Sequence, residues 1–112
     1  MKSKLFTLLI CSAFLFLNAC KDEDDPVPAK ITYNQDVKPI FVGSCTPCHL
    51  AGGANPNKWD EYAQAKAKIS VILDRVQRAP GSAGFMPKVG NALTAAQIAT
   101  LKQWVTDGLL EN

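Results

Sequence analysis

Two cysteines and a histidine form the motif Cys-Thr-Pro-Cys-His at residues 45–49, in the middle of the chain. The spacing C-x-x-C-H is the one that attaches a c-type haem covalently, because each thiol can add to one vinyl group of the porphyrin. The imidazole beside the second thiol then lies beneath the iron as its proximal ligand. The motif therefore predicts one covalent haem c, held by Cys45 and Cys48 and ligated by His49.

Paired cysteines have other uses, and the sequence argues against each of them. A structural zinc site needs about four ligands, yet the chain has no second histidine, and its other cysteines are Cys11 and Cys20 near the N-terminus. A thioredoxin-like dithiol would follow a strand in a βαβ pattern, which is not visible here. A disulfide between Cys45 and Cys48 would leave His49 without a role.

The second axial position of a haem iron has few candidate ligands in this sequence. Met86 is the only methionine after Met1, and it lies in a segment rich in glycine and proline, residues 79–87. A thioether paired with an imidazole raises the reduction potential of a haem. We predict Met86 as the distal ligand, with Lys88 as the fallback donor. The alternative is that Met86 fills a gap in the core, the common place of a methionine.

The N-terminal sequence predicts export, with residues 1–19 as a signal peptide. Two lysines precede an apolar run, residues 5–17, which suits a signal-peptide core and is short for a membrane span. The run ends in Leu-Asn-Ala-Cys, which resembles the lipobox of bacterial lipoproteins and implies lipid on the sulfur of Cys20. The alternative is an ordinary secretory signal followed by an incidental cysteine.

Residues 20–30 predict an extended tether, because four consecutive acids and two prolines cannot bury a core. A lysine followed by acids directly after the lipidated cysteine resembles the export signal of surface-displayed lipoproteins in some Gram-negative bacteria. The plainer interpretation is a spacer. We expect an exported protein, anchored to a bacterial membrane through Cys20 on its periplasmic or cell-surface side.

Residues 31–112 predict one small all-α domain of 82 residues. The predicted helices cover 35–44, much of 60–77, and a third segment that begins at a capping box after Thr94 and ends near Gly108. No segment has the pattern of a strand. A chain this short gains little from its own core, so we expect three to four helices wrapped around the haem.

Each predicted helix carries an apolar stripe at the spacing of three and four residues that places side chains on one face. The stripes comprise Val37, Ile40 and Phe41; Ile69, Ile72, Leu73 and Val76; and Ile98, Leu101, Trp104 and Val105. The solvent side of the second helix is expected to carry Lys66, Lys68, Asp74 and Arg75. Tyr62 is assigned to a possible separate turn before that helix.

These features together resemble the small class I cytochromes c, over nearly all of residues 31–112. Phe41 lies four residues before the haem motif, as the first-helix aromatic of that family does, and Met86-Pro87 follows the motif after a loop and a helix. The resemblance implies a cytochrome c-like bundle around one haem with His/Met ligation.

The last helix carries a further part of the resemblance. Leu101 and Trp104 are similar to the positions of that family's last helix that cross its first helix. Many members have a glycine on the first helix at this crossing, where this chain has Val37, so the crossing is expected to be looser or shifted. Trp59 and Tyr62 are candidates to donate hydrogen bonds to a haem propionate, or else are core aromatics with solvated tips.

The predicted function is single-electron transfer with unidentified redox partner proteins, by a protein that is not an enzyme. The chain has 12 basic and 10 acidic residues, a net charge of +2. Its basic residues form no stripe of the kind that binds nucleic acid. We expect a monomer. Two alternatives are a haem-based gas sensor or ligand binder and a non-haem adhesive lipoprotein with a Cys45–Cys48 disulfide. A peroxidase is disfavoured because no second histidine or distal acid–base group is apparent.

Overall fold

The computed structural model describes residues 27–112, which form a short π-helical turn and three α-helices. The π-helical turn, Tyr33–Val37, runs directly into α1, Lys38–Ser44, while α2 is Tyr62–Val76 and α3 is Ala95–Thr106. This range contains no strand beyond one isolated bridge between Thr32 and Leu110. The all-α prediction is confirmed for these residues.

The predicted signal peptide and the lipid site at Cys20 lie outside the described residues, as does most of the predicted tether. Residues 27–30, the described end of the tether, have no helix or strand and are exposed. Within the described range, we find no helix with the length and apolar character needed to cross a bilayer.

The first helical segment begins two residues earlier than predicted, because Thr32 anchors its start. The Thr32 carbonyl accepts from the amides of Asp36 and Val37, at 3.0 and 3.3 Å, and the Asp36 carboxylate accepts from the Thr32 amide at 2.8 Å. Pro39 lies at the second position of α1, directly after the π-helical turn, and supplies no backbone N–H to the carbonyls of that turn. Val37 and Phe41 are fully buried on the predicted apolar face.

The second predicted helix is confirmed as α2. Ile69, Ile72 and Val76 are buried and Leu73 is half-buried, as the stripe predicts. Two details differ. Tyr62 begins α2 itself rather than forming a separate turn, and Arg75 is half-buried rather than fully on the solvent side.

The third helix has both of the predicted end signals. The Gln97 amide donates to the Thr94 hydroxyl at 3.2 Å, and the Gln97 side chain accepts from the Thr94 amide at 2.9 Å. At the other end, Gly108 takes a φ of 96°, and its amide and that of Leu109 bond to the carbonyls of Val105 and Trp104. The predicted burial of Val105 is wrong: it is 42% exposed, because the buried face is centred on Leu101 and Trp104.

An aromatic cluster joins the first and last helices. The Tyr33 ring lies 5.8 Å from the Trp104 ring and 5.5 Å from the Tyr62 ring, measured between centroids. The two ends of the domain also meet here, since the Tyr33 amide donates to the Leu110 carbonyl at 2.9 Å. Val37 is fully buried at the position where the resemblance led us to expect a looser crossing. These contacts fix the helix from which the Cys-x-x-Cys-His motif emerges.

Candidate cofactor site

One cleft of about 490 Å³ has all four of the predicted ligand side chains on its walls: Cys45, Cys48, His49 and Met86. This volume falls within the roughly 300–1,000 Å³ that is usual for ligand and cofactor sites. Much of the remaining wall is apolar and comes from α2 and the segment after Met86: Val71, Ile72, Val76, Pro87 and Val89. The fold therefore brings together side chains that are up to 41 residues apart in sequence.

The motif is positioned by the end of α1. The Cys45 amide donates to the Phe41 carbonyl at 2.8 Å, and the His49 amide donates to the Cys45 carbonyl at 3.1 Å, so the motif forms compact turns. Cys45 is half-buried and Cys48 is exposed, and both are free thiols. The two sulfur atoms are therefore presented from one short turn beside the cleft.

Burial raises the pKa of the Cys45 thiol to about 11. A thiol with this pKa is protonated at neutral pH, so it is a poor nucleophile and a poor ligand for a bare metal ion. The surroundings of Cys45 therefore differ from the electropositive ones that lower the pKa of a reactive thiol.

The His49 ring is held by two neighbours. Its Nδ1 atom lies 3.0 Å from the Asn57 carbonyl oxygen, and its ring stacks on the Trp59 indole, with centroids 4.8 Å apart and planes 14° apart. A carbonyl oxygen can only accept, so this hydrogen bond selects the neutral tautomer with the proton on Nδ1 and the lone pair on Nε2. A second-shell bond of this kind is how proteins orient a metal-ligating histidine.

The loop after the motif packs tightly against it at Gly53. A Cβ atom at this position would overlap the carbonyl oxygens of Pro47 and Cys48, so no larger residue fits without movement. The Asn55 amide donates to the Cys48 carbonyl at 3.0 Å. This close packing places Asn57 where it can bond the imidazole.

Met86 lies half-buried on the cleft wall and outside the buried core cluster. It belongs to the Met86 loop, residues 79–87, and its amide donates to the Arg75 carbonyl at 3.2 Å. The predicted fallback donor, Lys88, also borders the cleft but is exposed.

The two aromatic candidates for polar contacts are separated by the fold. Trp59 is buried and borders the cleft. The Tyr62 hydroxyl instead donates to the Leu109 carbonyl at 2.8 Å and accepts from the Lys66 ammonium at 3.1 Å. Tyr62 therefore belongs to the contact between α2 and the C-terminal segment.

Sequence reasoning missed the contribution of α2 to this site. Lys68, Val71 and Arg75 all border the cleft. Lys68 is also exposed, as predicted, whereas Arg75 is half-buried. Their spacing of three and four residues beside Ile72 places them on one helical face. That spacing is the signal that could have identified them, once the loops were known to lie against this face.

The donor set fits a covalent haem. Two thiols, an imidazole with its Nε2 lone pair available, and a thioether share a cleft with apolar walls. Within residues 27–112, no three His, Cys, Asp or Glu side chains converge as they would around a bare metal ion. The assignment rests on these residues alone, because comparison of the chain with protein-family models, curated proteins and solved structures gives no match.

Proposed function

We propose that the protein is a membrane-tethered, monohaem c-type cytochrome that carries single electrons. The observation that carries this proposal is the presence of Cys45, Cys48, His49 and Met86 on one cleft. The two thiols would hold the porphyrin as thioethers, and Nε2 of His49 and the sulfur of Met86 would ligate the iron.

When bound, the haem supplies one reversible electron through its ferrous and ferric states. The chain's own residues bind and orient it. Asn57 and Trp59 fix the tautomer and the plane of the His49 ring, and the apolar side chains of α2 would pack against the porphyrin. A haem iron ligated by both His49 and Met86 would have no open position for a substrate, which favours a carrier over an enzyme.

The rim of the cleft supports electron exchange with a partner protein. Cys48 is exposed, and Val71 and Val89, which also border the cleft, are 50% and 63% exposed. A haem held at Cys48 would therefore have an edge near the protein surface, where a partner protein could exchange an electron with it. The proposed lipid on Cys20 and the acidic tether would let the domain reach membrane-bound or surface partners.

The experiment is an optical redox titration of full-length protein produced in a host that matures c-type haem. We expect one haem per chain, low-spin spectra in both oxidation states, and a single one-electron transition. Rapid carbon monoxide binding by the untreated ferrous protein would favour the gas-sensor alternative. Protein without haem absorbance, with Cys45 joined to Cys48, would contradict the proposal in favour of a non-haem lipoprotein.

A further inference from the structure

The sequence has only two arginines, Arg75 and Arg78, and both donate to the loop that carries Met86. Nη1 of Arg78 donates to the Ala83 carbonyl at 2.7 Å, and Nη1 of Arg75 donates to the Gly84 carbonyl at 3.3 Å. All ten other basic residues are lysines. A guanidinium presents several donors in a fixed plane, which suits it to holding backbone carbonyls better than a lysine ammonium does.

The backbone of α2 makes a third bond to the same loop. The carbonyl of Arg75 lies in the last turn of α2, where carbonyls lack a helical partner, and it accepts from the Met86 amide at 3.2 Å. Residues 84 and 86 of the Met86 loop are thus bonded to α2, and residue 83 is bonded to Arg78, two residues after the helix ends.

Asp74 ties the two guanidinium groups together. Its carboxylate accepts from Nη2 of Arg78 at 2.7 Å and lies 3.8 Å from Nε of Arg75. The three side chains are all at least partly exposed, so the ion pairs themselves contribute little free energy. Their effect is to hold both guanidinium groups over the loop.

Gly84 is the point at which the two arginines converge. A Cβ atom on this residue would overlap Nη1 of Arg75 and Nη1 of Arg78, and its φ of 78° is one that residues with a side chain rarely adopt. The close approach of both cations to the loop therefore depends on glycine at this position.

We propose that Arg75 and Arg78 are positioning residues for Met86: they hold the Met86 loop against α2, so that the thioether stays on the iron. This inference rests on the proposed function. Loss of the two bonds would let the loop open more often, and the distal position would become available to an external ligand.

The test uses full-length holoprotein with Arg75→Leu and Arg78→Leu combined. Each lost hydrogen bond corresponds to a roughly two- to tenfold change in an opening equilibrium. We expect several-fold faster carbon monoxide binding to the ferrous protein, a lower reduction potential, and faster hydrogen exchange of the Met86 amide. If the arginines have only a structural role, the double variant should have a lower unfolding temperature but an unchanged carbon monoxide binding rate and reduction potential.

Two further variants keep the test decisive. Lys66→Leu removes a cation from the same helix that contacts Tyr62 rather than the loop, so it should behave as wild type. Gly84→Ala retains both arginines but blocks their approach and strains the loop backbone, so it should shift carbon monoxide binding in the same direction as the double variant. If the double variant does not fold, the single variants Arg75→Leu and Arg78→Leu decide the matter, each with a smaller shift in the same direction.

The outcomes separate this inference from the proposed function. Suppose that Met86→Ala changes the carbon monoxide binding rate and the reduction potential. Wild-type values of both in the arginine variant and in Gly84→Ala would then overturn the positioning role. An unchanged Met86→Ala variant would overturn the positioning role and the distal ligand together. Absence of haem from the wild-type protein would overturn the proposed function itself.

Discussion

At the scale of single residues, the two predicted iron ligands differ in how firmly the protein holds them. His49 is fixed by a hydrogen bond to Asn57 and by stacking on the buried Trp59, whereas Met86 is half-buried in a loop bonded through its backbone. In the proposed haem site, His49 would therefore hold the iron in place, and Met86 would set the strength of the distal bond.

Met86→Ala should lower the reduction potential and admit carbon monoxide, because a Met/His pair raises the potential and fills the distal position. The measurement is a redox titration with carbon monoxide addition to the ferrous variant. Lys88→Ala is the matched control and should leave both quantities unchanged. If Lys88→Ala changes them and Met86→Ala does not, the distal ligand is the amine.

At the scale of elements, the ends of α3 fix its length and its position. The capping box at Thr94 satisfies amides of the first turn, and the turn at Gly108 satisfies carbonyls of the last. Asp107, the residue after α3, accepts from the Ile31 amide at 2.7 Å and so ties the start of the domain to its end.

Thr94→Ala should destabilise the protein by about 1 kcal/mol, because it removes the side-chain acceptor of the N-cap. Chemical denaturation followed by circular dichroism measures this change. Thr100→Ala is the control, since the Thr100 hydroxyl bonds to the Ala96 carbonyl within the helix and caps nothing. An equal loss of unfolding free energy in both variants would show that the hydroxyl of Thr94 stabilises the protein no more than that of Thr100 does.

Hydrogen bonds from the Ile31 amide and the Gln103 side chain lower the pKa of Asp107. A carboxyl whose pKa is lower in the folded state stabilises the fold above its unfolded pKa, and that contribution is lost as the pH falls through the folded value. The unfolding temperature of Asp107→Asn should therefore lie below that of wild type at neutral pH, with a gap that narrows on acidification. A gap independent of pH would contradict this origin.

At the scale of the whole molecule, the cofactor should be part of the core. The buried cluster of the described residues joins the helices at their aromatic side chains, but the cleft between α2, the motif and the Met86 loop has apolar walls that need a partner. A domain of this size buries too little surface for a large free energy of unfolding, so an unfilled cleft should destabilise it.

Cys45→Ala combined with Cys48→Ala should therefore lose covalent haem and cooperative unfolding together. The absorbance of haem after denaturation and the thermal transition followed by circular dichroism report the two losses. A sharp transition at the wild-type temperature without haem would show that the helices are stable alone.

The sequence predicted the helices well because their signals are local. The capping box at Thr94, the apolar stripe of α2 and the glycine at 108 act within a few residues, and all were confirmed. The start at Tyr33 was missed although its signal is local, because Asp36 lies only four residues after Thr32. The contact of Tyr62 with Leu109 spans 47 residues and has no local pattern, so it emerged only from the structure.

The most direct test of the central claim is the mass of the purified chain after denaturation, when produced in a host that matures c-type haem. We predict that the polypeptide retains the mass of one haem, and that a peptide containing Cys45 and Cys48 carries it. Recovery of the unmodified polypeptide from such a host would contradict the assignment of this site to a covalent haem.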